Sequence, residues 1–220
     1  MTKSGGEYII PTLGIWDKYE DIDFSLLPDR FVLKCTHDSG SVHICHDKLK
    51  FNYKGAKKRL SSALKKNLYY WGREYPYKGV KPRIIAEEYL YDSQGKEIVD
   101  YKFMCFNGVV KCSFTVTNRL SQEDMHVTFY DINWNIMPFT RHYKADNIPI
   151  EKPQNYRTMV EFSQVLSRDI PFARVDWYEI DGRLYFGEIT LYPGNGTEEF
   201  DPDEWDYFMG TWLELPYDEV

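Results

Sequence analysis

Arg174–Gly196 reads RVDWYEIDGRLYFGEITLYPGNG, and this stretch decides the fold. A strand over 172–180, an Asp181-Gly182 turn and a second strand over 184–189 predict a β-hairpin. Alternation along a strand puts Arg174, Asp176 and Tyr178 on one face, and Glu188 with Thr190 on one face of the partner strand. Whether those faces coincide depends on the length of the turn. A two-residue turn pairs 180 with 183 and sets Asp176 opposite to Glu188, whereas a three-residue loop ending at Gly182 shifts the register by one. The second arrangement brings Arg174, Asp176, Glu188 and Thr190 together. Two carboxylates converging beside an arginine repel unless a cation sits between them. Hard oxygen donors of this kind suit Mg²⁺, which keeps waters and bridges to phosphates. Both acids lie among Val, Trp, Phe, Gly and Ile, which argues against a merely solvated hairpin.

Upstream of the hairpin the pattern is rich in strands. Segments 83–90, 98–106, 109–117 and 125–131 read as strands, with Asn107-Gly108 as a second tight hairpin turn. Segment 155–168 reads as a helix with Met159, Phe162, Val165 and Leu166 inward. Nearer the N-terminus, an irregular stretch holding one short helix leads into a strand over 30–36. The polar turn His37–Ser41 and a strand over 42–45 follow. Tyr53, Ala56, Leu60, Ala63, Leu64, Leu68 and Trp71 recur at helical spacing and predict one helix over 52–71. A short acidic helix is expected from about Asp203. Strands with a few helices make the class α+β, a single domain of two lobes, about 1–85 and 86–220, parted near Lys81-Pro82.

Composition narrows the function. The chain has 220 residues, 43% of them hydrophobic and 17% aromatic, enough for a sizeable core. Lys and Arg number 27 against 34 Asp and Glu, a net charge of −7. An acidic surface is ill suited to phosphate backbones, so no nucleic-acid partner is expected. No apolar run approaches the roughly 18 residues that span a bilayer. The opening MTKSGGEYII lacks the basic and apolar regions of a secretory signal. Four cysteines are too few for a disulfide scaffold, so a reducing cytoplasmic location is expected.

Four stretches in order, FVLKCTHDSGS (31–41), KPRIIAEEYL (81–90), DYKFMCFNG (100–108) and the closing hairpin with its Pro-Gly, resemble the TupA-like ATP-grasp family over Tyr8 to Pro216. The resemblance implies an ATP-grasp fold, two lobes of antiparallel sheet plus helices gripping a nucleotide. It implies an ATP- and Mg²⁺-dependent carboxylate–amine ligase working through an acyl-phosphate in bacterial cell-surface polysaccharide synthesis. An amino acid and an anionic polysaccharide or its precursor are the expected substrates. By position, Lys34 matches the lysine that reaches the phosphates, and Ser39, Gly40 and Ser41 lie in the loop that closes over them. Glu87, Glu88, Tyr89 and Leu90 match the adenine-reading hinge. Asp100 sits where an acid meets the ribose, and Lys102 shares its strand face, aimed at the phosphates. Arg119 is placed to touch phosphate, Arg174 to meet the γ-phosphate or acyl-phosphate, and Asp176, Glu188 and Thr190 to hold Mg²⁺.

Thr190 stands where most ATP-grasp enzymes have Asn, a better ligand. Relatives also carry an N-terminal domain, most of which is not expected here, so part of the acceptor site is expected to be either absent or supplied by a partner subunit. A nucleotide-binding accessory module or half of a split enzyme is therefore the rival function. A glycosyl- or phosphotransferase is a weaker one, lacking a DxD in a loop after a strand. Cys35, His37, His43, Cys45 and His46 crowd one hairpin, but their spacing matches no CxxC signature, and buried residues are expected rather than zinc ligands. The cations of Lys48–Lys66 read first as a solvated helix face and second as a landing strip for an anionic polymer or nucleotide-sugar.

Overall fold

The structure, a computed structural model, describes residues 5–118, 125–146 and 148–216. The chain divides into two compact units, one of residues 10–90 and one formed by the first nine residues with 91–220.

In the first unit, β1 (Thr12–Trp16), β2 (Phe31–Cys35), β3 (His43–Cys45) and β4 (Ile84–Glu88) form an antiparallel sheet in the order β1-β4-β2-β3. Strand β2 alternates, with Phe31, Leu33 and Cys35 buried against Ala56, Leu60 and Ala63 of α1 (Tyr53–Ala63). That leaves Val32 and Lys34 on the other face. The expected single helix over 52–71 is two. Helix α1 starts at Asn52, whose Oδ1 accepts from the Gly55 N–H at 2.8 Å, and stops after Ala63. Asn67 then accepts the Tyr69 N–H at 2.9 Å and opens the short α2 (Tyr69–Gly72). A side chain that bonds its own local backbone competes with the helical ladder, so the apolar spacing outran the real helix. Because β4 pairs with both β1 and β2, the unit ends at Leu90, beyond the break near Lys81-Pro82. Strand β1 was not foreseen; it is a short edge carrying Gly14 at an irregularity in its pairing.

In the second unit, β5 (Asp100–Phe106), β6 (Val109–Thr117), β7 (His126–Asp131), β9 (Phe172–Ile180) and β10 (Arg183–Thr190) form an antiparallel sheet in the order β10-β9-β5-β6-β7. A small pair joins β8 (Thr140–Arg141) to β11 (Phe200–Asp201). Asn107 and Gly108, both at positive φ, make the tight β5–β6 turn. Helix α3 (Tyr156–Leu166) covers one face through Met159, against Phe103, Cys105, Val175 and Trp177. The other face packs Met104, Phe106, Phe114 and Phe129 against Phe139, Met209 of α4 (Glu204–Gly210) and Trp212. Every residue of β5 is buried. Its apolar side chains on that second face stop at Met104, and the polar ones, Lys102 and Asp100, begin there. The fold is α+β, and the strand pairing carries charged side chains to the end of a buried sheet face.

Candidate functional site

The β9–β10 hairpin solves its register in a way neither simple turn provides. Asp181 and Gly182 sit at φ 50° and 72°, a two-residue turn, and Ile180 pairs with Arg183. Phe186 still opposes Trp177, but Ile189 opposes Val175 and Thr190 opposes Arg174. The extra residue between Phe186 and Ile189 is a β-bulge at Gly187-Glu188. It supplies the one-residue shift that the turn does not.

The consequence is a charge cluster. Arg174 donates from Nε and Nη2 to the two oxygens of Asp176, both at 2.8 Å, and from Nη2 to Glu188 Oε1 at 2.7 Å. The Thr190 hydroxyl donates to the same Glu188 oxygen at 3.2 Å. Arg174, Asp176, Glu188 and Thr190 are thus brought together. On β5, Lys102 lies directly opposite Asp176 and donates to its Oδ2, while its Nζ is 2.9 Å from Asp100 Oδ2. Asp100 and Lys102 were expected to face a nucleotide cleft, meeting the ribose and the phosphates. The structure instead buries them at 1% and 6% exposure, because cross-strand pairing lets the charges satisfy one another. Lys102 does not stand free for a phosphate here, nor Asp100 for a ribose.

Three carboxylates and two cations leave this cluster one negative charge in excess when all are ionised. Burial pushes the Asp176 carboxyl up, but Lys102 and Arg174 outweigh it and hold it below the ordinary carboxylate value. Burial alone would weaken protonation of the Arg174 guanidinium; Asp176 and Glu188 reverse that and raise it. Among the described residues no three His, Cys, Asp or Glu side chains gather as a ready-made metal site. The donor chemistry nonetheless fits Mg²⁺. Asp176, Glu188 and Thr190 offer hard oxygens on adjoining strands, and Glu188, 59% exposed at its side chain, has room to turn from Arg174 to an ion.

In the first unit, the Lys34 Nζ lies 2.7 Å from Glu87 Oε2. Lys34 was expected to need an anion, and Glu87 is the one it meets. Glu88 is exposed, Tyr89 and Leu90 are half-buried, and Tyr89 meets the His46 ring edge-on. In the 37–41 loop Ser39 and Gly40 are exposed, while the buried Ser41 hydroxyl accepts from the Cys35 N–H and donates to Asp38. Arg119 lies outside the described residues. The Cys/His group scatters onto backbone partners: Cys35 on the Leu60 carbonyl, His37 Nε2 on that of Ala63, and Cys45 on that of Asp29.

Two residues near the cluster escaped sequence reasoning. Gly187 carries the bulge, and a glycine inside a strand is the signal that marks such positions. Arg141, in a stretch to which the sequence reading assigns no element, is buried over the Phe114 and Phe129 rings and paired with Glu198 at 3.0 Å. It is close enough for the charge of Arg174 to oppose its own. Nothing in its local sequence marks it.

The model of the family described as TupA-like ATPgrasp matches residues 1–214. No curated protein matches the chain. Among solved structures, the chain is similar to a D-alanine–D-alanine ligase from Bacillus anthracis, at 18% identity and a TM-score of 0.49 over 93% of this chain. It is similar to the D-alanine–D-alanine ligase of Helicobacter pylori, at 15% and 0.44 over 86%. The D-cycloserine synthetase DcsG aligns at 17% and 0.43 over 84%. The chain spans 58%, 51% and 58% of these proteins' own lengths, respectively.

Proposed function

This chain belongs to the TupA-like ATP-grasp family, and on that footing we propose that it is an ATP- and Mg²⁺-dependent carboxylate–amine ligase. The observation that supports this most directly is the cluster of Asp176, Glu188 and Thr190 around Arg174, assembled by a bulge in β10. In the reaction, the γ-phosphoryl of ATP passes to a substrate carboxylate oxygen, giving an acyl-phosphate and ADP. An amine nitrogen then attacks the carbonyl carbon. The C–N bond forms, the C–O bond to phosphate breaks, and the amine proton is lost to solvent.

Such chemistry is mostly positioning and charge neutralisation. Asp176, Glu188 and Thr190 are the residues to hold Mg²⁺, which supplies charge neutralisation at phosphate oxygens. Arg174, once Glu188 turns away, has a guanidinium edge for the oxygens of the transferred group. Lys34, released from Glu87, and Arg119 meet phosphate. Ser39, Gly40 and Ser41 cover the phosphates, and Glu87 to Leu90 read the base. Lys102 neutralises Asp100 and Asp176 and so holds the two carboxylates together. The acceptor is a cell-surface polysaccharide or its precursor, joined to an amino acid in the cytoplasm.

The test is phosphate release from ATP with amino acids and acidic glycan acceptors, with Mg²⁺ and with chelator. Release that needs Mg²⁺ and both substrates supports the ligase. Binding of Mg·ATP without ADP formation under any pairing overturns it in favour of a nucleotide-binding module.

A further inference from the structure

The first unit holds a cleft of about 610 Å³ between the 38–41 loop and helix α1, continuing to Leu68 and Trp71. It lies on the helix side of the sheet. Leu33 and Cys35 point that way, and the Cys35 thiol reaches the Leu60 carbonyl, whereas Lys34 meets Glu87 on the other face. Lys58, Arg59 and Lys66 line the cleft. Arg59 donates to the Gly40 carbonyl and ties helix to loop. Lys57 is paired with Glu20 at 2.8 Å and Lys81 with Asp17 at 2.7 Å. Lys58 and Lys66 have no such partner among the described residues. The acid in the cleft, Asp38, accepts from Ser41. On a chain of net charge −7, this is a local cationic site.

Beside it stands an aromatic platform. The run YYWGREYPY (69–77) exposes Trp71 at 80%, Tyr70 at 69% and Tyr75 at 64%. Tyr69 is braced by Lys78 at 5.3 Å and Arg73 at 5.7 Å from its ring centroid. Large apolar side chains grouped on a surface mark a binding site more often than chance exposure does. A flat ring beside cations that meet no carboxylate among the described residues matches a ligand with an apolar ring face and acidic substituents.

We propose that this cleft binds an acidic saccharide chain, a sugar ring lying on Trp71 and its carboxylates or phosphates meeting Lys58, Lys66 and Arg59. The aliphatic C–H face of a pyranose buries apolar area against the indole, and the cations supply charge complementarity. This site deepens the ligase reading by placing its acceptor, and rests on that reading only for its purpose, since binding needs no ATP.

The experiment is calorimetric titration of the full chain, without nucleotide, with oligogalacturonate, phosphorylated maltohexaose, neutral maltohexaose and oligoglutamate of similar length. Binding of either acidic sugar is expected. It should weaken at least tenfold in Lys58→Glu/Lys66→Glu and in Trp71→Ala, with Mg·ATP binding unchanged. The uronate and phosphate arms show which acid is preferred. Far-UV circular dichroism checks folding of the variants, and the wild-type salt dependence reads the charge contribution without any substitution. No binding of either acidic sugar, equal binding of oligoglutamate or of the neutral sugar, or affinity unmoved by salt would overturn the site. Failure of ATP turnover with sugar binding intact would strike the ligase reading instead.

Discussion

A Cβ on Gly187 would stand 3.1 Å from the Asp176 carbonyl oxygen, 3.3 Å from the Asp176 Cβ and 3.2 Å from the Tyr178 ring. Glycine is required there for space, because the bulge presses β10 onto the residue whose carboxylate the cluster is built around. Gly187→Ala is expected to force the strands apart by a few tenths of an ångström and to cost about 1–2 kcal/mol of stability. Turnover is expected to fall further, on the order of tenfold to a hundredfold, since small displacements of positioned groups weigh heavily on rate. Thermal denaturation and Mg²⁺-dependence of ADP formation, measured together, separate the two effects. Full activity with the alanine would show that the bulge does not need glycine.

Glu188 and Asp176 are expected to part company on mutation. The Glu188 side chain is 59% exposed and, among the described residues, bonds Arg174 and Thr190 alone. Glu188→Gln is therefore expected to change stability by no more than ~0.5 kcal/mol while Mg·ATP turnover is lost. Asp176→Asn strips a buried acceptor from Lys102 and Arg174 and is expected to cost ~3 kcal/mol as well as activity. Glu188 is thus the cleaner probe of the metal assignment. An active Glu188→Gln enzyme would remove Glu188 from it.

The longer strands of this protein were legible because alternation and Asn-Gly or Asp-Gly turns are local, whereas the short β1, β8 and β11 were not. The 172–180 strand was placed to the residue, as was the β5–β6 turn at Asn107-Gly108. Helix 52–71 was overextended because its apolar spacing continues past the point where Asn67 takes a backbone bond. The polar residues of the hairpin could be singled out in the sequence, but the register that brings them together could not. The Asp181-Gly182 turn by itself argues against their convergence, and the compensating bulge is visible only in the pairing of Phe186 and Ile189. The burial of Asp100 and Lys102 depends on which strand lies beside β5. That neighbour, β9, is more than sixty residues away in the chain, and no local pattern announces it.

Lys102 is the pivot of the buried charges, opposite Asp176 and 2.9 Å from Asp100. Lys102→Met leaves two buried carboxylates without the cation they share. The expected loss is about 3–5 kcal/mol, read from urea denaturation. Adding Asp100→Asn to that variant removes one of the stranded charges and is expected to recover part of the loss. A double-mutant cycle then gives the coupling between the two positions. Additive costs would mean that the two side chains do not depend on each other.

Acid denaturation should report on Asp176. Burial pushes its carboxyl up, Lys102 and Arg174 more than offset that, and the folded value lies below the ordinary 3.8. The unfolded chain therefore binds the proton first, and stability from this group rises with pH across the interval between the folded and unfolded values. It is fully present above the unfolded value and is lost as pH falls through the folded one. Asp17, Glu20, Asp23 and Asp131 are held low too, but they lie at the surface, where such interactions are screened. The wild-type urea midpoint is expected to be level between about pH 6 and pH 5 and to drop steeply below about pH 4. Asp176→Asn starts from a lower midpoint and is expected to show a shallower acid limb, because that proton no longer distinguishes the two states. An unchanged acid limb in the variant would place the acid sensitivity elsewhere in the chain.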